Sequence, residues 1–262
     1  MSTLTYSIST AILWGELVKS AYSTYELDTK NTNPPAAVDL PAGWQVVANL
    51  QSDPVAGIFS EIQFIGFLVQ STADAGQYGI VFRGTEGVMD WLADFEARHV
   101  EFTDVPNGGR TESGFTEMFR SLKAVKPGDT ALQTLDEFLK TLPGDTTITV
   151  SGHSLGGAIA NLTAIWIAAK HASFPLELYS FAAPMTGDAT FAATFNLLVP
   201  NSFRIFNKPD IVPTVPFHQL GYDQVNSGYE VNSLDYPNLP RNILGYHAMD
   251  TYLYLLQQEL QK

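Results

Sequence analysis

An α/β fold built on a mostly parallel central sheet, with helices on both faces, is what this sequence predicts. Strand-like runs rich in Val, Ile and Phe alternate with stretches of helical periodicity, and such alternation implies crossover units. A β-branched run at Thr146–Ser151 passes through a glycine turn into a long apolar stretch. The 262 residues are 45% hydrophobic and 16% charged, below the usual ~25% charged, so a full core is available without staples. No internal repeat or low-complexity block appears, and one domain over 1–262 accommodates the pattern better than two.

The elements follow in order. Between Ser9 and Tyr25, Ile12, Leu13, Leu17, Val18, Ala21 and Tyr22 recur at helical spacing, with Ser9 or Thr10 as cap. Pro34, Pro35 and Pro41 make the stretch from Asn31 to Gly43 a loop. Strands are expected at 44–50, 61–70 and 78–83, then helices over 113–124 and 130–142, separated by Pro127-Gly128. After the strand ending at Ser151 come a helix over about 155–170, a strand at 176–181, a helix near 189–197 and a strand at 202–206. The stretch 211–246 is rich in Pro, Asn, Gly and Tyr, and a last helix runs over 247–261.

Composition excludes several classes. The formal charge is −13, and no basic stripe exists to displace the counterions of a nucleic acid. With no cysteine, a disulfide scaffold, a thiolate metal site and a cysteine nucleophile are excluded together. No H-E-x-x-H or cation-loop pattern occurs, so neither a metal nor another cofactor is expected. No run of ~18 apolar residues is present, so no transmembrane segment is expected. The first basic residue is Lys19 and Glu16 breaks the early apolar stretch, so no leader peptide is visible. As written this predicts a cytoplasmic chain, and leaves secretion open if the amino terminus is processed or truncated. The sequence does not specify an oligomeric state.

Residues 146–160 read TTITVSGHSLGGAIA, a G-x-S-x-G in the strand–turn–helix context its chemistry requires. The turn projects the Ser154 hydroxyl from the sheet end, and Gly152 and Gly156 leave room where strand and helix approach closely. The helix amino end directs free N–H groups at developing negative charge. Ser154 is therefore a candidate nucleophile, and such a serine needs a base held by a third group. The order on this type of sheet is serine, acid, histidine. His153 adjoins the serine and is expected to point the opposite way, while His171 lies roughly 25 Å off at the far helix end. His247 and His218 remain, with His247 favoured because its loop can reach over the sheet edge and His218 a candidate for the substrate entrance. Asp210, just past a strand end, sits where ligands bind in open α/β sheets; Asp188 and Asp223 are its rivals. The N–H of Leu155 supplies one oxyanion donor, and Thr85, after the strand-like run 78–83, is the candidate for the second.

The chain resembles the class 3, fungal-type triacylglycerol lipases of the α/β-hydrolase superfamily. The pieces that carry the resemblance are FRGTEGVMDWLADF (82–95), SGFTEMF (113–119), VSGHSLGGA (150–158), SFAAP (180–184), FNKPDIVPTVP (206–216) and the His247 segment. The resemblance implies an α/β-hydrolase fold, Ser154 as nucleophile, Asp210 as acid, His247 as base, and Thr85 and Leu155 as oxyanion donors. It also implies a short helical lid at about 86–95, in which Val88, Trp91, Leu92 and Phe95 fall near one face. From Glu86 to Asp104 there are six acidic residues against Arg98 alone, which makes an anionic bilayer a poor surface for it. The family commonly has a histidine or similar residue where Glu112 stands, and no catalytic role is assigned there. Phe217, Tyr222 and Tyr229 are candidates for an acyl-groove wall. The implied activity is hydrolysis of acylglycerol esters at a lipid or ester interface. A feruloyl or short-chain carboxylesterase, a phospholipase A1 and a catalytically silent binding scaffold are the alternatives.

Overall fold

The computed structural model describes residues 5–55, 60–85, 87–88, 97–226 and 228–262. Helix α1, Ile8–Leu27, starts two residues earlier than the apolar spacing suggests, because the Ser7 side chain accepts from Thr10 N at 3.3 Å and caps it. Strands β1 (Trp44–Ser52), β2 (Gln63–Ser71) and β3 (Gln77–Phe82) follow. Their mutual pairing is antiparallel, since the connections are too short for a crossover. A small hairpin of β4 (His99–Glu101) and β5 (Arg110–Glu112) precedes α2, Ser113–Ser121.

Two expected helices come out differently. The run 113–124 stops being helical at Ser121, and Lys123–Val125 forms β6 on the free edge of β1. The run 130–142 divides into β7 (Leu132–Thr134), paired with β6, and a short α3 (Leu135–Leu139) behind a Thr134–Glu137 capping box. Pairing with an available sheet edge overrides local helical periodicity in both places.

Crossovers then build the parallel part. Strand β8 (Thr147–His153) leads into α4 (Leu155–Lys170), then β9 (Leu176–Phe181), α5 (Ala189–Leu198) and β10 (Ser202–Asn207). Within the long irregular stretch, β11 (Tyr229–Val231) adds a parallel edge strand. The chain ends in a short α6 (Ile243–His247) and α7 (Met249–Leu260) rather than one helix from His247. The nine-stranded sheet runs β11-β10-β9-β8-β3-β2-β1-β6-β7, parallel from β11 to β3 and antiparallel from β3 to β7.

The strand period of two separates two cores. Ile80 and Phe82 of β3 join the cluster with α2, α4 and α5, whereas Val81 joins the cluster with α1 and α7. Helix α4 is buried continuously from Leu155 to Ile167, and each large apolar side chain so enclosed contributes roughly 1.5–3 kcal/mol. Among the described residues no helix is long and apolar enough to cross a membrane.

Candidate active site

At the carboxyl end of β8 the chain turns so sharply that Ser154 takes φ 56° and ψ −129°, a region costing a residue with a side chain of order 1–3 kcal/mol. Its neighbours hold it there. Ser154 N donates to Phe181 O at 2.9 Å, and Ser154 O accepts from Gly157 N at 2.8 Å. A Cβ at Gly152 would strike the Gly156 carbonyl, and one at Gly156 would strike that of Arg83. The turn thus admits glycine on either side of the serine, and the strain delivers the hydroxyl to the sheet end.

The turn after β10 and the end of α6 complete a hydrogen-bonded line. Ser154 Oγ lies 2.8 Å from His247 Nε2, and His247 Nδ1 lies 2.8 Å from Asp210 Oδ2. The serine is fully buried and the other two residues are each 4% exposed. A carboxylate only accepts, so Nδ1 carries the proton and the lone pair of Nε2 faces the serine hydroxyl. Val212 N donates to the other oxygen, Asp210 Oδ1, at 3.0 Å. The N–H groups of Leu155 and Thr85 meet no acceptor among the described residues, which leaves both available to an oxyanion. A cavity of about 260 Å³ is walled by Thr85, Val88, His153, Leu244, His247 and Met249, with Tyr22 on its α1 side.

The other sequence candidates lie elsewhere. His218 is exposed and its Nδ1 sits 3.0 Å from Tyr222 O and 3.6 Å from Asp223 Oδ1, away from the serine line. Asp188 caps α5 through Phe191 N and pairs with Arg110. His171 meets Asp136. Tyr222 is buried against His99, Phe217 is exposed, and Tyr229 stacks on Tyr6, so none of the three walls the cavity. Glu112, where the family commonly has histidine, caps α2 by accepting from Phe115 N at 2.8 Å. Of the lid residues, Val88 is buried at the cavity; Trp91, Leu92 and Phe95 lie outside the described residues.

Several residues that the sequence did not single out support the line. The Tyr252 hydroxyl donates to Asp210 Oδ2 at 2.8 Å and accepts from Asn207 N at 2.9 Å. Burial, with the Asp210 carboxylate beside it, holds that phenol protonated well above its ordinary value. Asn207 Nδ2 also donates to Tyr246 O at 2.8 Å, joining the end of β10, just before the aspartate, to α6, which carries the histidine. Tyr252→Phe removes one donor from a buried carboxylate and orphans Asn207 N, so the variant is expected to lose about 1–3 kcal/mol of stability. Urea denaturation checks it, and an unchanged midpoint would contradict the assignment.

His153 departs from expectation. Its ring packs beside His247, with centroids 4.6 Å apart, instead of leaving the site. Burial drives its pKa well below the usual histidine value, and the adjacent His247 adds to the effect. The native ring is therefore neutral where the unfolded one takes a proton. Unfolding then binds more protons, and stability is lost as the pH falls through the unfolded value near 6.5. This single group contributes an acid slope approaching about 1.4 kcal/mol per pH unit. His153→Gln is expected to lack that part of the slope in urea titrations run at stepped pH; equal slopes would refute it.

Residues 79–220 match the family described as Lipase (class 3). The chain is similar to phospholipase A1-II 4 of Oryza sativa subsp. japonica, 28% identical over 221 residues, which cover 74% of this chain and 55% of that protein. It is also similar to the secreted mono- and diacylglycerol lipase A of Penicillium camembertii, 32% identical over 155 residues, which cover 59% and 48%. The chain thus spans only about half the length of these curated relatives. Among solved structures, the lipase of Rhizopus microsporus var. chinensis superposes with a TM-score of 0.66 at 20% identity, covering 95% of this chain and 87% of that one. The fold is accordingly that of the α/β hydrolases. As the match spans more than half of the sequence, from β3 to beyond Asp210, the chain belongs to the class 3 lipase family.

Proposed function

We propose that this chain is a serine carboxylic-ester hydrolase acting on acylglycerol esters, with Ser154, His247 and Asp210 as its catalytic residues. The observation that carries the reading is the unbroken line from Ser154 Oγ to His247 Nε2 and from His247 Nδ1 to Asp210 Oδ2, at 2.8 Å in each step. Ser154 Oγ attacks the ester carbonyl while His247 takes its proton; the oxyanion meets the N–H groups of Leu155 and Thr85. The intermediate collapses, His247 returns the proton to the departing alcohol, and Ser154 is left acylated. Water then repeats the sequence and releases the acid. Asp210 keeps Nδ1 protonated and offsets the charge of the imidazolium. In this reading Val88, at the cavity wall, belongs to a lid that withdraws before an ester reaches the buried serine.

The relatives named phospholipase A1 favour a second reading, in which the substrate ester is the sn-1 bond of a phospholipid. A panel of p-nitrophenyl esters of graded length, emulsified triacylglycerol, and phosphatidylcholine vesicles separates the readings. A rate that jumps when triacylglycerol passes from monomer to emulsion supports the lipase. Release of fatty acid from phosphatidylcholine alone supports the phospholipase, and smooth saturation on short soluble esters supports an esterase. An alkyl fluorophosphonate is expected to label Ser154. Neither label nor hydrolysis would leave the silent scaffold as the answer.

A further inference from the structure

Four segments far apart in sequence are joined beside the serine by a chain of three hydrogen bonds. Gly84 N, in the loop that carries Thr85, donates to the Tyr22 hydroxyl oxygen at 2.8 Å. The Tyr22 hydroxyl lies 2.8 Å from His153 Nδ1, and His153 Nε2 lies 2.8 Å from the carbonyl oxygen of His247. The ends set the direction. A backbone N–H only donates and a carbonyl only accepts, so the neutral His153 ring carries its proton on Nε2 and its Nδ1 accepts from the Tyr22 hydroxyl.

The same loop is gripped from its other side. Arg83 Nη1 donates to Gly84 O at 2.7 Å, and Arg83 Nε donates to Phe64 O at 2.9 Å. Gly84 O and Thr85 N share one planar peptide, so holding the oxygen aims the Thr85 N–H in the opposite direction. A Cβ at Gly84 would meet both the Tyr22 hydroxyl and Ser154, which shows how closely helix, loop and nucleophile converge.

We propose that Tyr22 and His153 form a one-way relay that sets the oxyanion loop against the base, and that both are positioning residues for ester hydrolysis. The proposal rests on the functional reading above. Neither side chain exchanges a proton with substrate. Their work is to hold the Thr85 N–H and the His247 ring in register with Ser154. Displacement of such groups by about 1 Å is enough to cost up to 10²-fold in rate.

The test compares the wild type with Tyr22→Phe, His153→Gln and the double variant, using p-nitrophenyl butyrate. Tyr22→Phe is expected to lower kcat by about 10- to 100-fold with KM little changed. Affinity for an alkylboronic acid, which takes up the serine oxygen as a tetrahedral anion, should fall by a similar factor. The double variant should lose no more than the worse single one, because the relay acts as a unit. Full kcat in Tyr22→Phe, or losses that multiply, would overturn the positioning role. A second measurement does not depend on activity. In ¹⁵N-histidine spectra of the inactive Ser154→Ala protein, His153 should stay neutral with its proton on Nε2 through the ordinary histidine range near 6.5. The titratable groups facing that ring are Tyr22 from α1, His247 from the end of α6 and Tyr252 from α7. A proton on Nδ1 would overturn the relay itself. A wild type without hydrolysis would overturn the functional reading and the positioning role together, while the tautomer still reports the hydrogen bonds.

Discussion

Ser154→Ala is expected to lower ester hydrolysis by roughly 10⁴- to 10⁶-fold, the loss seen when a nucleophile is deleted from a unit whose members act together. The residual rate would come from binding and from the oxyanion donors, which the substitution leaves in place. Alanine also keeps the positive φ of 56° at this position, so the strain of the turn persists in the inactive protein. Ser154→Gly removes both the nucleophile and the strain, and should be equally inactive but more stable than the alanine variant by about 1–3 kcal/mol. Initial rates on p-nitrophenyl esters and urea midpoints measure the two effects separately. Turnover by Ser154→Ala within tenfold of the wild type would remove the serine from the mechanism.

The second large effect is expected at Asp210. In Asp210→Asn the side chain keeps its shape but loses its charge and one of its two acceptors. If the amide oxygen faces His247 and Tyr252, the amide NH₂ confronts the donating N–H of Val212, which now bonds the other oxygen at 3.0 Å. If the amide turns over, its NH₂ confronts His247 Nδ1, and the histidine must place its proton on Nε2. That tautomer has no lone pair toward Ser154. In both orientations the imidazolium formed during reaction loses its counter-charge. The expected fall in kcat is about 10⁴-fold, with Ser154 far slower to react with a fluorophosphonate. A loss below about tenfold would show that another group orients the base.

How much of this was legible in the sequence depended on how local the cause was. The turn at Ser154 is specified within five residues, because Gly152 and Gly156 flank the strained position and leave room for close backbone contacts. Asp210 and His247 were reachable by ordering, since a residue after a parallel strand lies at the sheet end and few histidines follow the serine. The sequence placed α4 and β9 at their observed limits. It misplaced Lys123–Val125 and Leu132–Thr134, whose strand character comes from an edge supplied by β1. β11 was missed for the same reason, as three residues take strand form by joining β10.

By itself, then, the sequence determined the α/β alternation, the glycine-flanked serine and the chemical identity of its partners, all properties of short segments or of chain order. Only the tertiary structure decided that Tyr22 from α1 reaches the loop of Thr85, that His153 turns beneath His247, and that Tyr252 supports Asp210. Those contacts join residues separated by up to 94 positions. A hydrogen bond between distant segments leaves no periodicity along the chain; it exists only once two cores, packed on opposite faces of one sheet, have fixed where each segment ends.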